Sequence, residues 1–160
     1  LINRYVHAPL YVVDDNEGQE IKFANDKYYV TSNATMPLNS ANFITLENPL
    51  ARFINSYTFT ETERKNKIEF NFPYYFKVLV TVDIPEGYEV ITSDNFKAVI
   101  KTNENLIYSQ NSAVSGNKLQ MLYEFYLGNA VYDGADYPVV KKHFEAVQKE
   151  AAKQITLKKK

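Results

Sequence analysis

Between Val78 and Ile84 every second residue is a branched aliphatic, with Leu79, Thr81 and Asp83 interleaved and Lys77 just before. A period of two sends successive side chains to opposite faces of a pleat, so this stretch buries one face as a β-strand. Leu119, Met121, Tyr123, Phe125 and Leu127 repeat the same period. On a helix, a single apolar face would instead recur every three or four positions. Composition agrees. The chain has 13 Tyr and 10 Phe but only 5 Gly and no Trp, and Tyr and Phe favour half-buried pleated surfaces.

Other segments read as further strands. Arg4 to Val13 is β-rich and ends at the turn signal Asp14-Asp15-Asn16-Glu17-Gly18. The extended run Glu20 to Thr31, interrupted at Asn25-Asp26, pairs with it as a hairpin in this reading. Ser32 to Ser40 is a polar loop containing Pro37, and Asn42 to Leu46 is a short strand stopped by Asn48-Pro49. Arg52 to Thr60 alternates, with Phe53, Tyr57 and Phe59 on one side. Ile68, Phe70 and Phe72 share a face of the next strand, after a polar turn over 61–67. Ile84-Pro85-Glu86-Gly87 suits a type I turn. Strands are also expected over 96–101, 106–110 and 118–127, the last two joined by a turn at Ser115-Gly116-Asn117.

The period changes after Gly134. Asp136 is placed to cap a helix and Pro138 is tolerated in its first turn. Val140, Phe144, Val147 and Ala151 then form an apolar stripe, predicting a helix over about 137–152. Gln154 to Leu157 returns to alternation as a last strand. Short strands separated by turns at intervals of about 8–12 residues argue for a sandwich. The expected fold is therefore mainly β: an antiparallel β-sandwich of immunoglobulin- or fibronectin-like architecture, with one C-terminal α-helix and a short final strand. Residues 1–44 read as an N-terminal hairpin or the tail of a preceding domain, packed on the same sheet, and 45–160 as the sandwich itself. A chain of 160 residues and 18.5 kDa buries roughly 70% of its unfolded surface, enough core for one domain.

The residue inventory excludes more chemistry than it suggests. Cys is absent, which removes thiol nucleophiles, iron–sulfur clusters and zinc–cysteine sites. Neither His7 nor His143 has a second His at ligand spacing, and a packed or surface role is the better reading of both. No G-x-S-x-G elbow and no phosphate-cradling glycine pattern occurs. Asp14, Asn16, Gly18 and Glu20 superficially suggest a calcium loop, but the spacing fails and a turn explains them. With 18 basic and 19 acidic residues, the chain lacks the charge excess that attracts nucleic acid. No apolar run approaches the roughly 18 residues of a membrane span. Tyr28-Tyr29 and Tyr74-Tyr75 put one ring on each side of a strand. Some Tyr is thus expected at the surface, where it can stack on sugars or peptides, while most fills the core. Lys158-Lys159-Lys160 reads as a solvated tail. The chain begins at Leu1, without Met or a signal peptide, and reads as processed or as a piece of something longer.

One family pattern stands out. Asn48-Pro49-Leu50, Glu63-Arg64, Phe70-Asn71-Phe72-Pro73-Tyr74 and Val82-Asp83-Ile84-Pro85-Glu86-Gly87-Tyr88 follow one another. Asp136-Tyr137-Pro138, a helix with Phe144, and Gln154-Ile155-Thr156-Leu157-Lys158-Lys159 then close the chain. Over about residues 45–159 this succession resembles the C-terminal β domain of Bacteroidetes-type secreted transglutaminase-like proteins. The resemblance implies a longer polypeptide: a secretion signal, an N-terminal β domain, a papain-fold core using Cys, His and Asp, and then this uncharacterised domain. Because this chain has no Cys, no catalytic residue carries over to it.

The expected function is a non-catalytic accessory or structural domain of an extracytoplasmic protein, periplasmic or at the cell surface. It would support the upstream transglutaminase-like core or mediate contacts with another protein. The alternative is a stand-alone module binding a glycan or peptide through exposed Tyr. No catalytic, cofactor-binding or metal-ligating residue is expected, and neither a nucleic-acid partner nor a membrane span.

Overall fold

The computed structural model describes residues 19–24, 27–32, 42–91 and 96–160. Contacts divide the chain into two compact units, Leu1–Ala41 and Asn42–Lys160. In the first, β1 (Gln19–Ala24) pairs antiparallel with β2 (Lys27–Ser32). The run 20–31, expected as one strand, instead supplies both strands of a hairpin. The segment 4–13, expected as its partner, lies outside the described residues.

The second unit is the antiparallel β-sandwich with a C-terminal helix and a final strand that the periodicity predicts. Its elements run β3 (Phe43–Leu46), α1 (Ala51–Asn55), β4 (Ile68–Glu69), β5 (Tyr74–Asp83), β6 (Tyr88–Ile91), β7 (Ala98–Asn103), β8 (Leu106–Ser115), β9 (Lys118–Leu127), β10 (Val131–Tyr132), α2 (Tyr137–Ala151) and β11 (Ile155–Lys159). The large sheet has the order β5-β9-β8-β7. A smaller one runs β3-β11-β6, and β10 pairs with β4. Leu119, Met121, Tyr123, Phe125 and Leu127 are all buried, as their alternation requires. Ser115 faces Lys118 across a two-residue loop in which Gly116 has φ 60°, the left-handed geometry that tight hairpins need.

Helix α2 covers the inner face of the large sheet, meeting β7, β8 and α1. Its buried stripe comprises Tyr137, Val140, His143, Phe144, Val147 and Ala151, two residues wider than hydrophobicity alone indicates. Asp136 occupies the N-cap position, but its side chain makes no capping bond. Phe144 is the centre of an aromatic cluster. Its ring lies 5.7 Å from Phe70 in a stack and within 5.9 Å of Phe125, and reaches Tyr57 at 5.2 Å and Phe59 at 5.1 Å. Such offset and edge-on contacts add to ordinary area burial.

Several local expectations change. Arg52–Thr60 is not a strand: 51–55 is a helical turn and 57–61 is irregular. The Asn48 side chain accepts the Leu50 amide at 2.8 Å and its carbonyl accepts Ala51 N–H at 3.0 Å, which winds the chain into α1. Downstream, carbonyls that a sheet would use are taken by α2. Gln148 Nε2 donates to Tyr57 O at 2.8 Å, and Lys141 Nζ to Glu61 O at 3.0 Å. The spacing of Phe53 and Tyr57 fits a helical turn as well as a pleat, and their rings meet edge-on at 5.4 Å. Only Ile68–Glu69 of the run 68–72 is strand.

β6 and β10 have too few residues to register as periodic. The turn before β6 closes through Tyr88 N–H on Pro85 O, with Gly87 at φ 80°. That is the left-handed third position of a type II turn, one residue later than the type I reading. Lys158 and Lys159 are not a tail but part of β11, although their side chains remain exposed.

Phe144→Ala removes the ring at which five others converge, those of Tyr57, Phe59, Phe70, Phe125 and His143. It should lower unfolding free energy by about 3–5 kcal/mol, read as a shift of the urea midpoint by circular dichroism.

Candidate functional site

Three places in the second unit concentrate polar or ionisable groups. The first is a buried relay. Asn48 Nδ2 donates to the Tyr108 hydroxyl at 2.7 Å, Tyr108 donates to Gln110 Oε1 at 2.6 Å, and Gln110 Nε2 donates to Phe96 O at 2.8 Å. All three side chains are at most 2% exposed. Burial pushes the Tyr108 phenol upward, so it stays protonated and serves as donor and acceptor at once. The relay ties the β3–α1 connection to β8 and to the chain entering β7, and presents no open face to a ligand.

The second is His143, only 1% exposed, with Nδ1 2.9 Å from Thr102 Oγ1 on β7. Its Nε2 is buried without a hydrogen-bond partner among the described residues. Desolvation depresses its pKa to about 4, and no neighbouring charge contributes to the shift. Of the packed and surface roles the sequence left open for it, the structure shows the packed one. Its chemistry is that of a neutral core histidine, not of a base oriented by a carboxylate. A nearby cleft of about 150 Å³, bordered by Asn103, Asn105, Asn129 and Asp136, falls short of the roughly 300–1,000 Å³ of typical small-molecule sites.

The third is the outer face of the large sheet, built by the residues that alternate with the core. Tyr75, Tyr126 and Ile107 lie side by side across β5, β9 and β8. The next row is Lys77, Glu124, Ser109 and Val99, and Leu79 faces Leu122. Tyr75, Leu79 and Val99 are 51%, 61% and 68% exposed. Glu124 organises the centre. Lys77 Nζ lies 3.1 Å from its carboxylate, Ser109 donates at 3.2 Å, and the Tyr75 hydroxyl at 3.4 Å. The hydrogen bond and charge of Lys77 hold the Glu124 pKa below the usual carboxylate range, against a smaller opposing effect of burial. Lys77 is raised reciprocally. The Tyr75 and Tyr126 rings meet edge-on at 6.3 Å, while Tyr74, on the opposite side of the pleat, is buried at 8%. The expected split of the Tyr74-Tyr75 pair is therefore present.

His7, Asp14, Asn16 and Gly18 lie outside the described residues, as do the side chains of Glu20, Tyr28 and Tyr29. Among the described residues no three His, Asp or Glu side chains converge as a metal site would need, and no helix is long and apolar enough to cross a membrane.

Residues 41–157 match the model of a family described as a domain of unknown function with a solved structure, DUF3858. The chain belongs to the DUF3858 family. The fold is also found in a crystal structure from Parabacteroides distasonis ATCC 8503, of a protein provisionally described as a protease. The likeness has a TM-score of 0.56 at 18% identity and covers 72% of this chain. At that identity it is a likeness of fold. The DUF3858 chain spans 23% of that protein's length. No curated protein matches the sequence.

His143 makes a directional prediction. Between pH 6.5 and about 4 the unfolded state takes up a proton that the folded state refuses. Its contribution is therefore complete above pH 6.5 and declines as pH falls to about 4, by about 3 kcal/mol. Urea unfolding across that range should show the decline, and His143→Gln should flatten that part of the profile. In the relay, Tyr108→Phe strands the Asn48 amide and the Gln110 carbonyl oxygen. It should cost about 1–3 kcal/mol in the same assay at pH 7.

Proposed function

We propose that this DUF3858 domain is a non-catalytic accessory domain of a longer, transglutaminase-like extracytoplasmic protein, docking its papain-fold core or a protein partner. The observation that carries the reading is the outer face of the large sheet. There Tyr75, Leu79 and Val99 stand exposed on a face that also carries the ion pairs Lys77–Glu124 and Asp83–Lys118. Large apolar and aromatic side chains left exposed beside a fixed ion pair, on a sheet whose other side forms the core, suit a contact surface. Two facts support a larger parent protein: the structural relative is several times longer than the shared fold, and the motifs of residues 45–159 resemble the C-terminal part of secreted transglutaminase-like chains.

The paired rings of Tyr75 and Tyr126 favour a second reading, a glycan- or peptide-binding module that stacks its ligand on them.

Intact mass and peptide mapping of the native polypeptide separate the two. The accessory reading expects a much heavier chain carrying a Cys-containing region upstream of Leu1. A native chain starting at or near Leu1 would overturn it. Glycan and peptide array binding by the 160-residue chain, abolished by Tyr75→Ala, would then establish the second.

A further inference from the structure

Strand β5 ends the large sheet. It pairs with β9 over ten residues in unbroken register. Among the described residues, no backbone hydrogen bond leaves its opposite side. The other edges are less available: β7 shifts register between Lys101 and Asn103, and β3 and β6 are four residues each. Proteins ordinarily blunt a long flat edge with proline, a bulge or charge; β5 has no proline or bulge within it, and its two charges, Lys77 and Asp83, both lie on the outer face in ion pairs with β9. Its core-facing side chains are also unfinished. Phe76, Val78, Val80, Val82 and Ile84 pack on the core yet stay half-buried, as edge residues do when the next strand is missing.

The sequence of the edge indicates what completes it. About Val80, the inner-side residues match outward in both directions as apolar, Val78 with Val82 and Phe76 with Ile84, while on the outer side Lys77 and Asp83 are opposite charges and Leu79 stands against Thr81. An antiparallel copy of the same strand, with Val80 opposite Val80, brings these partners face to face. Val78 and Val82 then meet across the inner side, and Phe76 meets Ile84. On the outer side each Lys77 faces Asp83 of the second copy. Both residues already hold ion pairs within their own sheet, Lys77 to Glu124 at 3.1 Å and Asp83 to Lys118 at 2.8 Å. The seam therefore continues each pair into a row of alternating sign, Glu124, Lys77, Asp83 and Lys118. Opposite charges directly across a strand pair stabilise it and like charges destabilise it.

We propose that β5 is a homodimerisation edge, pairing antiparallel with β5 of a second copy in register about Val80 to form one continuous eight-stranded sheet. The contact is isologous, so it closes with two-fold symmetry and uses up both β5 edges, leaving only the β7 edges at the ends of the sheet. It uses the rim of the sheet rather than its outer face, and so goes beyond the accessory reading and stands without it.

Light scattering on the 160-residue chain over a roughly hundredfold concentration series tests this by mass action. The mass should rise from 18.5 kDa toward twice that value. Lys77→Glu or Asp83→Lys alone sets like charges opposite each other at two symmetric places. Each should weaken the dimer at least about tenfold, and the double exchange should recover most of the loss. Register is tested without relying on those variants. The chain has no Cys, and Leu79→Cys and Thr81→Cys chains should form disulfides faster when mixed than either does alone. A mass of 18.5 kDa throughout the series would overturn the proposal. So would a dimer that both single exchanges leave intact, or cysteine variants that link equally well unmixed.

Discussion

Phe144 is the point from which α2 takes its position. One ring, projecting from the middle of the helix, meets side chains from the irregular segment after α1, from the chain just beyond β4, and from β9. Elements distant in sequence therefore share one contact. Polar groups reinforce the same seat from its flanks: Tyr137 OH accepts the Glu61 amide at 3.1 Å, and Gln148 holds Tyr57 O at 2.8 Å. An irregular stretch can lie against the core because the helix satisfies its backbone, which buried loops otherwise fail to achieve.

Where strands are long and one face is buried, the sequence alone reveals them. Lys77–Ile84 and Lys118–Leu127 alternate cleanly because one side meets the core and the other meets solvent. The helix is legible for the same reason, and its boundaries at Tyr137 and Ala151 fall where the stripe begins and ends. Tertiary demands override pattern elsewhere. The alternation of Phe53, Tyr57 and Phe59 reports a turn of helix and an extended arm that aim their rings at a common cluster, not a pleat. β4 and β10 are two residues each, below the length at which any period is defined. His143 widened the helical stripe invisibly, since an imidazole scores as polar until its burial beside Thr102 is known.

The candidate surface was legible in part. Tyr75 follows from its neighbour Tyr74 by alternation, but the grouping of Lys77, Glu124 and Ser109 depends on which strands adjoin, and local sequence does not encode strand order. The buried polar groups of this DUF3858 domain are enclosed: the Asn48–Tyr108–Gln110 relay lies in the core, and His143 under the helix. What faces outward is a sheet surface and a sheet edge.

The smaller sheet has a temporal consequence. Its middle strand is β11, and its outer strands are β3 and β6. Neither junction joins sequence neighbours, since β3 ends at Leu46 and β11 begins at Ile155. During synthesis, β3 and β6 emerge and wait with nothing between them until residues beyond α2 leave the ribosome. The large sheet closes earlier through its local hairpins, β7 with β8 and β8 with β9. Contacts of such wide separation form slowly, and β11 follows every strand of the large sheet in the chain, so the small sheet is completed by the last-made strand.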